Sequence, residues 1–285
     1  MKLTKPKADV YVPGGGPLEE ALARTTHLAV GAHQDDIEFM ALHGILECFG
    51  RSDRCFVGVT MTNGAGSART GPYAGCSNDE MVRIRVSEQR HAALIGGYGC
   101  QLQLMYSSAE LKDASNPGPV GDLLEILARA KPQVVYLHNP ADKHDTHVAS
   151  CLRAIAALRL LEPAVRPLRV YGCEVWRSLD WLPDADKQVL PVDDRPNLAA
   201  ALSGIFDSQI SGGKRYDLAV QGRRLANATF FESHEVDRNT MLAFAVDLTP
   251  LVADPSLDVA AYTTALVDRM RNDVTDRIAR LSRGA

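Results

Sequence analysis

Between residues 26 and 161 the chain alternates short, strand-like runs rich in apolar residues with longer stretches whose apolar residues recur at helical spacing, and that alternation leaves few folds open. The runs are "THLAVGAH" (26–33), "RCFVGVTMTNGAG" (54–66, ending in a glycine-rich loop), "CQLQLMY" (100–106) and "QVVYLHN" (133–139). Between and after them stand "DDIEFMALHGILECFGR" (35–51, closed by Gly50), "NDEMVRIRVSEQRHAALIGG" (78–97), "VGDLLEILARAKP" (120–132, stopped by Pro132) and "HDTHVASCLRAIAALRLL" (144–161). Asn78 or Asp79 is the expected cap of the second helix and Gly96 its end. A run apolar on both faces is buried on both faces, and strands separated by helices pair in parallel. The expected fold is therefore α/β: a Rossmann-like, mainly parallel sheet with helices on both faces.

Beyond residue 165 the pattern loosens. "LRVYGCEVW" (168–176) is strand-like, "LPDADKQVLPVDD" (182–194) holds a turn and a strand, and "RPNLAAALSGIFDSQI" (195–210) is helical. The tail carries Val259, Leu266, Met270, Val274, Ile278 and Leu281 on nearly one stripe, an amphipathic helix expected to pack on the chain's own core. With no repeat or linker, residues 1–285 are expected to form one domain. In it 1–165 is the core and 166–285 a C-terminal part that walls the pocket.

Parallel sheets gather ligands outside the carboxyl ends of their strands. Two histidine- and acid-rich stretches fall there: "AHQDDIE" after the first strand and "HNPADKHDTH" after the fourth. His33 and Asp36 are three apart across a strand-to-helix turn; His144 and His147 are three apart at a helix start. An aspartate after a strand is often only a helix cap, but two such stretches, each at the end of a strand, favour a bound cation. A catalytic zinc takes three nitrogen or oxygen ligands and keeps one position open. A carboxylate beside the ion, Asp35, can then take a proton from the attacking water, and the remaining histidine can stabilise the oxyanion. Together these parts describe hydrolysis of an amide or ester.

Other classes are disfavoured. The net charge of −4 advertises neither nucleic acid nor an anionic membrane. No apolar run approaches the ~20 residues of a membrane span, and no apolar segment follows the basic residues of "MKLTKPKADVYVPGGGP", so a cytoplasmic enzyme is expected. Six cysteines without a C-x-x-C pair argue against a thiolate zinc site, and most are expected buried and reduced. "SQISGGKRYD" lacks the glycine and the Ser/Thr of a phosphate loop, although Lys214 and Arg215 in it could meet an anionic group; G-x-G-x-x-G and G-x-S-x-G are absent.

The stretch "AHQDDIE" resembles the AHPDD(x)E motif of the PIG-L/LmbE-like zinc-dependent deacetylases. "HNPADKHDTHVA" resembles their later P-x-D-x-H-P-D-H-x-A motif, "RIRVSEQRHAALIGG" their helix of the form I-R-x-x-E, and "VTMTNGAG" stands in place of their Thr-Asp/Asn-Gly loop. The resemblance covers roughly residues 26–150. It implies a zinc-dependent hydrolase that removes an N-acetyl group from an N-acetylglucosamine-type sugar or glycoconjugate. One Zn2+ per chain, or another divalent metal, is implied, held by His33, Asp36 and His147. Asp35 is implied as general base and His144 as the second catalytic histidine. Arg85, paired with Glu88, is implied as a substrate contact, and Glu38 as a residue behind the metal. Asn63, with Gly64, is expected to meet a sugar hydroxyl, and His234 to fold back toward the oxyanion; His138 either lines the pocket or is structural.

The sequence departs from the motifs at Gln34, where proline is usual, and at Asp145 and Thr146, which replace Pro-Asp; Asp142 or Asp145 is the substitute support for a histidine. A metal-dependent amidase of a thiol conjugate, and an idle sugar-binding protein on the same scaffold, remain as alternatives. The expected partner is a small acylated amino sugar, with a homo-oligomer possible.

Overall fold

The computed structural model describes residues 1–282. Its strands are β1 (Asp9–Tyr11), β2 (His27–Gly31), β3 (Phe56–Thr62), β4 (Cys100–Tyr106), β5 (Val134–His138), β6 (Arg169–Cys173), β7 (Gln188–Pro191) and β8 (Leu242–Asp247). The helices are α1 (Leu18–Ala23), α2 (Asp36–Met40), α3 (Leu42–Cys48), α4 (Asn78–Ile95), α5 (Ser108–Lys112), α6 (Gly118–Ala130), α7 (Asp145–Arg159), α8 (Pro196–Gly204), α9 (Asp207–Ile210), α10 (Tyr216–Phe231), α11 (Thr249–Ala253) and α12 (Val259–Leu281).

The strands form one mixed sheet in the order β1-β4-β3-β2-β5-β6-β8-β7. The central strands, β4 through β6, pair in parallel; β1 at one edge and β8 and β7 at the other pair antiparallel. Every residue of β2 and β3 is buried, as their mainly apolar runs favour. Side chains alternate between two cores: Leu28 and Val30 of β2 join Val57, Leu102 and Ile126 on one face, while Ala29 joins Ile37, Ile45 and Tyr136 on the other. The α/β, mainly parallel architecture read from the sequence is thus the observed one.

Several expectations are corrected. The helix read over 35–51 is broken at Ala41 (φ −111°, ψ 20°) into α2 and α3. The reason is distant in sequence: the buried guanidinium of Arg224 in α10 donates to the carbonyls of Glu38 and Phe39 (2.9 and 3.0 Å), replacing helical partners there. The cap of α4 is Ser77, which forms a reciprocal capping box with Glu80, rather than Asn78 or Asp79. The stretch 195–210 is two helices, α8 and α9, and α10 and β8 lie where no element was read. The tail stripe does not pack on the core as a whole: of α12 only Leu266 is buried, and its apolar residues from Val267 onward are exposed. All six cysteines are free; Cys48, Cys100, Cys151 and Cys173 are buried and Cys55 and Cys76 partly so.

Candidate metal centre and active site

β2 and β5 lie side by side, but the chain leaves β2 for β3 on one flank and β5 for β6 on the other. Their carboxyl ends therefore bound the crevice in which α/β sheets bind ligands. His33 and Asp36 follow β2; His138 ends β5, and His144 stands at the N-cap of α7 with His147 in its first turn.

Three of these side chains converge. His33 Nδ1 lies 3.3 Å from His147 Nε2 and 3.3 Å from Asp36 Oδ2, and His147 Nε2 lies 3.3 Å from Asp36 Oδ1. Tetrahedral zinc with nitrogen and oxygen ligands at ~2.0–2.1 Å spaces its ligand atoms roughly 3.3 Å apart, so the trio fits a single ion of that size. Burial alone would raise the Asp36 carboxyl, but the imidazole of His147 helps to hold it well below the usual range. A second group, His138, Asp142 and His147, shares His147. Its His138 Nε2 lies 3.3 Å from Asp36 Oδ2 as well, but accepts the Ala32 amide (2.9 Å), and the ring stacks on His147 at 3.9 Å. His138 is fully buried behind the trio and does not line the cavity.

Asp142 replaces the missing motif aspartate. Its Oδ1 accepts the His144 amide (3.0 Å), its Oδ2 accepts the Trp176 amide (3.1 Å), and it lies 3.5 Å from His147 Nδ1, on the opposite side of the ring from Nε2. Asp145 is exposed in the first turn of α7 and takes no such part.

Asp35 adopts φ +94°, a conformation side chains rarely take and one worth about 1–3 kcal/mol of strain. Its amide donates to Gln89 Oε1 (3.2 Å), and Gln89 Nε2 donates to Glu38 Oε1 (2.8 Å), which also accepts from Tyr98 (2.7 Å). Arg85 Nη2 donates to Asp35 Oδ2 (3.0 Å) and to the Gln34 carbonyl. Burial raises the Asp35 carboxyl despite Arg85, and burial pushes Glu38 up to about 8. Gln34, fully buried, uses the amide that proline would lack to reach the Thr62 carbonyl and Gln103 (3.1 Å each).

His33 and Asp36 open on a cavity of about 330 Å³, with His147 fully buried beside them. His33, Asp35, Asp36, Arg85 and His144 line it from the motif side, Thr62 and Gly64–Gly66 from the loop after β3, and Trp176, Tyr216, Val220 and Arg223 from the C-terminal part. His144 stacks on Trp176 at 5.8 Å; burial and the neighbouring His33 lower its pKa. Gly64 sits at φ +71°, where a Cβ would come within 2.5 Å of Gln34 Oε1.

The remaining predicted residues fall as follows. Arg85 does line the cavity, but it is 1% exposed and occupied by Asp35, Gln34 and Glu88, the last at 3.6 Å. The Asn63 side chain accepts the Ala65 amide (3.0 Å) and shapes the loop, while its neighbours Thr62 and Gly64 face the cavity. His234 is exposed in the segment after α10 and does not line the cavity, so the expected fold-back of that segment is not seen. Lys214 Nζ lies 5.2 Å over the Trp176 ring, and Arg215 pairs with Asp217. Sequence reasoning missed Gln89, Tyr98, Trp176 and Tyr216. Only the helical spacing of Gln89 from Arg85 hinted at a shared inward face.

Residues 28–158 match the PIG-L family model, described as GlcNAc-PI de-N-acetylase. Residues 28–158 form a PIG-L family domain. No curated protein matches the chain. Among solved structures, the conserved protein TT1542 from Thermus thermophilus is similar at a TM-score of 0.61 and 20% identity, over 82% of this chain and 99% of that one. The N,N'-diacetylchitobiose deacetylase of Pyrococcus horikoshii gives 0.57 and 17%, over 81% and 93%. The 4-carboxy-2-hydroxymuconate hydratase of Pseudomonas putida gives 0.56 and 17%, over 78% and 95%. At these identities the PIG-L domain and its neighbours share a fold; their activities belong to them.

Proposed function

We propose that this chain is a metal-dependent, specifically zinc-dependent, N-deacetylase of an N-acetylglucosamine-type sugar or glycoconjugate. The observation that carries the reading is the convergence of His33, Asp36 and His147 through three 3.3 Å contacts, those to Asp36 on its two separate oxygens, with His33 and Asp36 on a cavity also lined by Asp35 and His144. The family domain supports it, as does the fold shared with a diacetylchitobiose deacetylase.

When bound, a divalent ion supplies a Lewis acid that acidifies water and polarises a carbonyl. The residues do the rest. Asp35 accepts the proton of the attacking water, and its burial keeps that carboxylate basic. Arg85 and Gln89 hold it in its strained pose. His144, on the same cavity, donates to the oxygen that becomes negative as the amide carbon turns tetrahedral. Asp35 then returns its proton to the departing amine. Trp176 and Tyr216 wall the sugar and exclude bulk water. Among the described residues no helix is long and apolar enough to cross a membrane, and a small acylated amino sugar in the cytoplasm is the proposed substrate.

The test is metal content and acetate release over a panel of N-acetyl sugars and N-acylated thiol conjugates, with a hydroxymuconate as counter-substrate. Asp35→Asn should keep the metal and lose ~10²–10⁴-fold in turnover; His147→Ala should lose the metal. Metal-loaded protein that releases no acetate from the sugars, or that hydrates the muconate instead, refutes the proposal.

A further inference from the structure

Past Leu266, α12 leaves the support of the core. Every residue from Val267 to Ser282 is exposed, and the ion pair of Arg269 with Asp186 (2.9 Å) is the last polar link to the body among the described residues. An isolated helix of ~12 residues is marginal in water, so this segment calls for a partner. Its exposed apolar residues are Val267, Met270, Val274, Ile278 and Leu281. They are arranged as a palindrome about Val274: Met270 and Ile278 stand four residues before and after it, Val267 and Leu281 seven. At 3.6 residues per turn all five fall within a stripe roughly 80° wide.

We propose that this face is the seam of a homodimer, in which α12 of one copy lies antiparallel to α12 of a second with the two-fold axis passing through Val274. That register sets Val274 against itself, Met270 against Ile278 and Val267 against Leu281. It also brings Arg277 within two residues' rise of Asp273 of the second copy. Within one chain Arg277 already holds Asp273 (3.1 Å) and Arg271 holds Asp268 (3.2 Å), so the stripe is flanked by charges neutralised on their own helix. A parallel pairing would crowd the two bodies at the same end of helices only ~8–10 Å apart, whereas the antiparallel one holds them at opposite ends.

The experiment is mass determination by sedimentation at tens of micromolar on the full chain, with mild-oxidation cross-linking of cysteine variants against the parent. The parent is expected at twice the chain mass, and Val274→Asp, with an unchanged melting temperature of the body, at half the parent's mass. Val274→Cys should cross-link to itself. Val267→Cys alone should not, whereas Val267→Cys combined with Leu281→Cys should. A parent at the mass of one chain, a Val274→Asp variant with the parent's mass, or a Val267→Cys variant that links to itself as readily as Val274→Cys overturns the proposal.

Discussion

Gln89 is the residue on which the posture of Asp35 turns. It is fully buried and makes two hydrogen bonds, accepting from the Asp35 amide and donating to Glu38. Gln89→Leu keeps the volume and removes both. The Asp35 amide is then a buried donor without a partner, at a cost of about 1–3 kcal/mol; Glu38 keeps Tyr98, so its loss is nearer 0.5–1.5 kcal/mol. The expected destabilisation is about 2–4 kcal/mol, which for a chain of this size lowers the melting temperature by roughly 3–7 °C. If Asp35 relaxes from its strained φ, the release of up to about 1–3 kcal/mol offsets part of that loss, so the melting shift falls toward the lower end. The carboxylate then leaves its working position, and kcat falls about 10–100-fold with KM little changed. Calorimetry and acetate-release kinetics read the two effects separately. A Gln89→Leu protein that melts within about 1 °C of the parent and turns over at the parent's rate would show that the Asp35 conformation is held by something else.

Two further outcomes follow from the same geometry. His27, buried against Tyr136, has its pKa lowered to about 4, mainly by burial. Its folded value lies below its unfolded one, so the unfolded chain binds the extra proton between about pH 6.5 and 4. Stability then falls with acidification across that window, by at most ~1.4 kcal/mol per pH unit from this group. The denaturant midpoint of His27→Phe should show a shallower slope there than the parent's, and parallel slopes would contradict the assignment. Gly64→Ala should cost about 1–2 kcal/mol for the left-handed backbone and more for displacing Gln34. A thermal melt that leaves it as stable as the parent would show that the loop yields freely.

What the sequence revealed and what it hid divide along physical lines. β2, β3 and β5 were legible as short, mainly apolar runs, and β4 as an alternation of apolar residues with Gln101 and Gln103. The trio of His33, Asp36 and His147 was legible because few residue types serve a divalent ion and strand ends fix where they stand. α10 was not: its buried residues are Arg224, Asn227 and Ala228, which form no apolar stripe. β1 and β8 are edge or late antiparallel strands whose pairing only the finished sheet supplies. Trp176 and Tyr216 face the cavity through tertiary placement alone, for which spacing carries no signal. The break between α2 and α3 was hidden because its cause lies in Arg224, far along the chain.

That guanidinium has a consequence for anyone reshaping the molecule. The helix supplying Tyr216, Val220 and Arg223 to the cavity is riveted, by one side chain, to the short turn that carries Asp36. Under the proposed function, selectivity and metal retention are therefore mechanically joined: a redesign that tilts the wall to admit a larger sugar would tug on the residues proposed to hold the ion unless Arg224 keeps its grip.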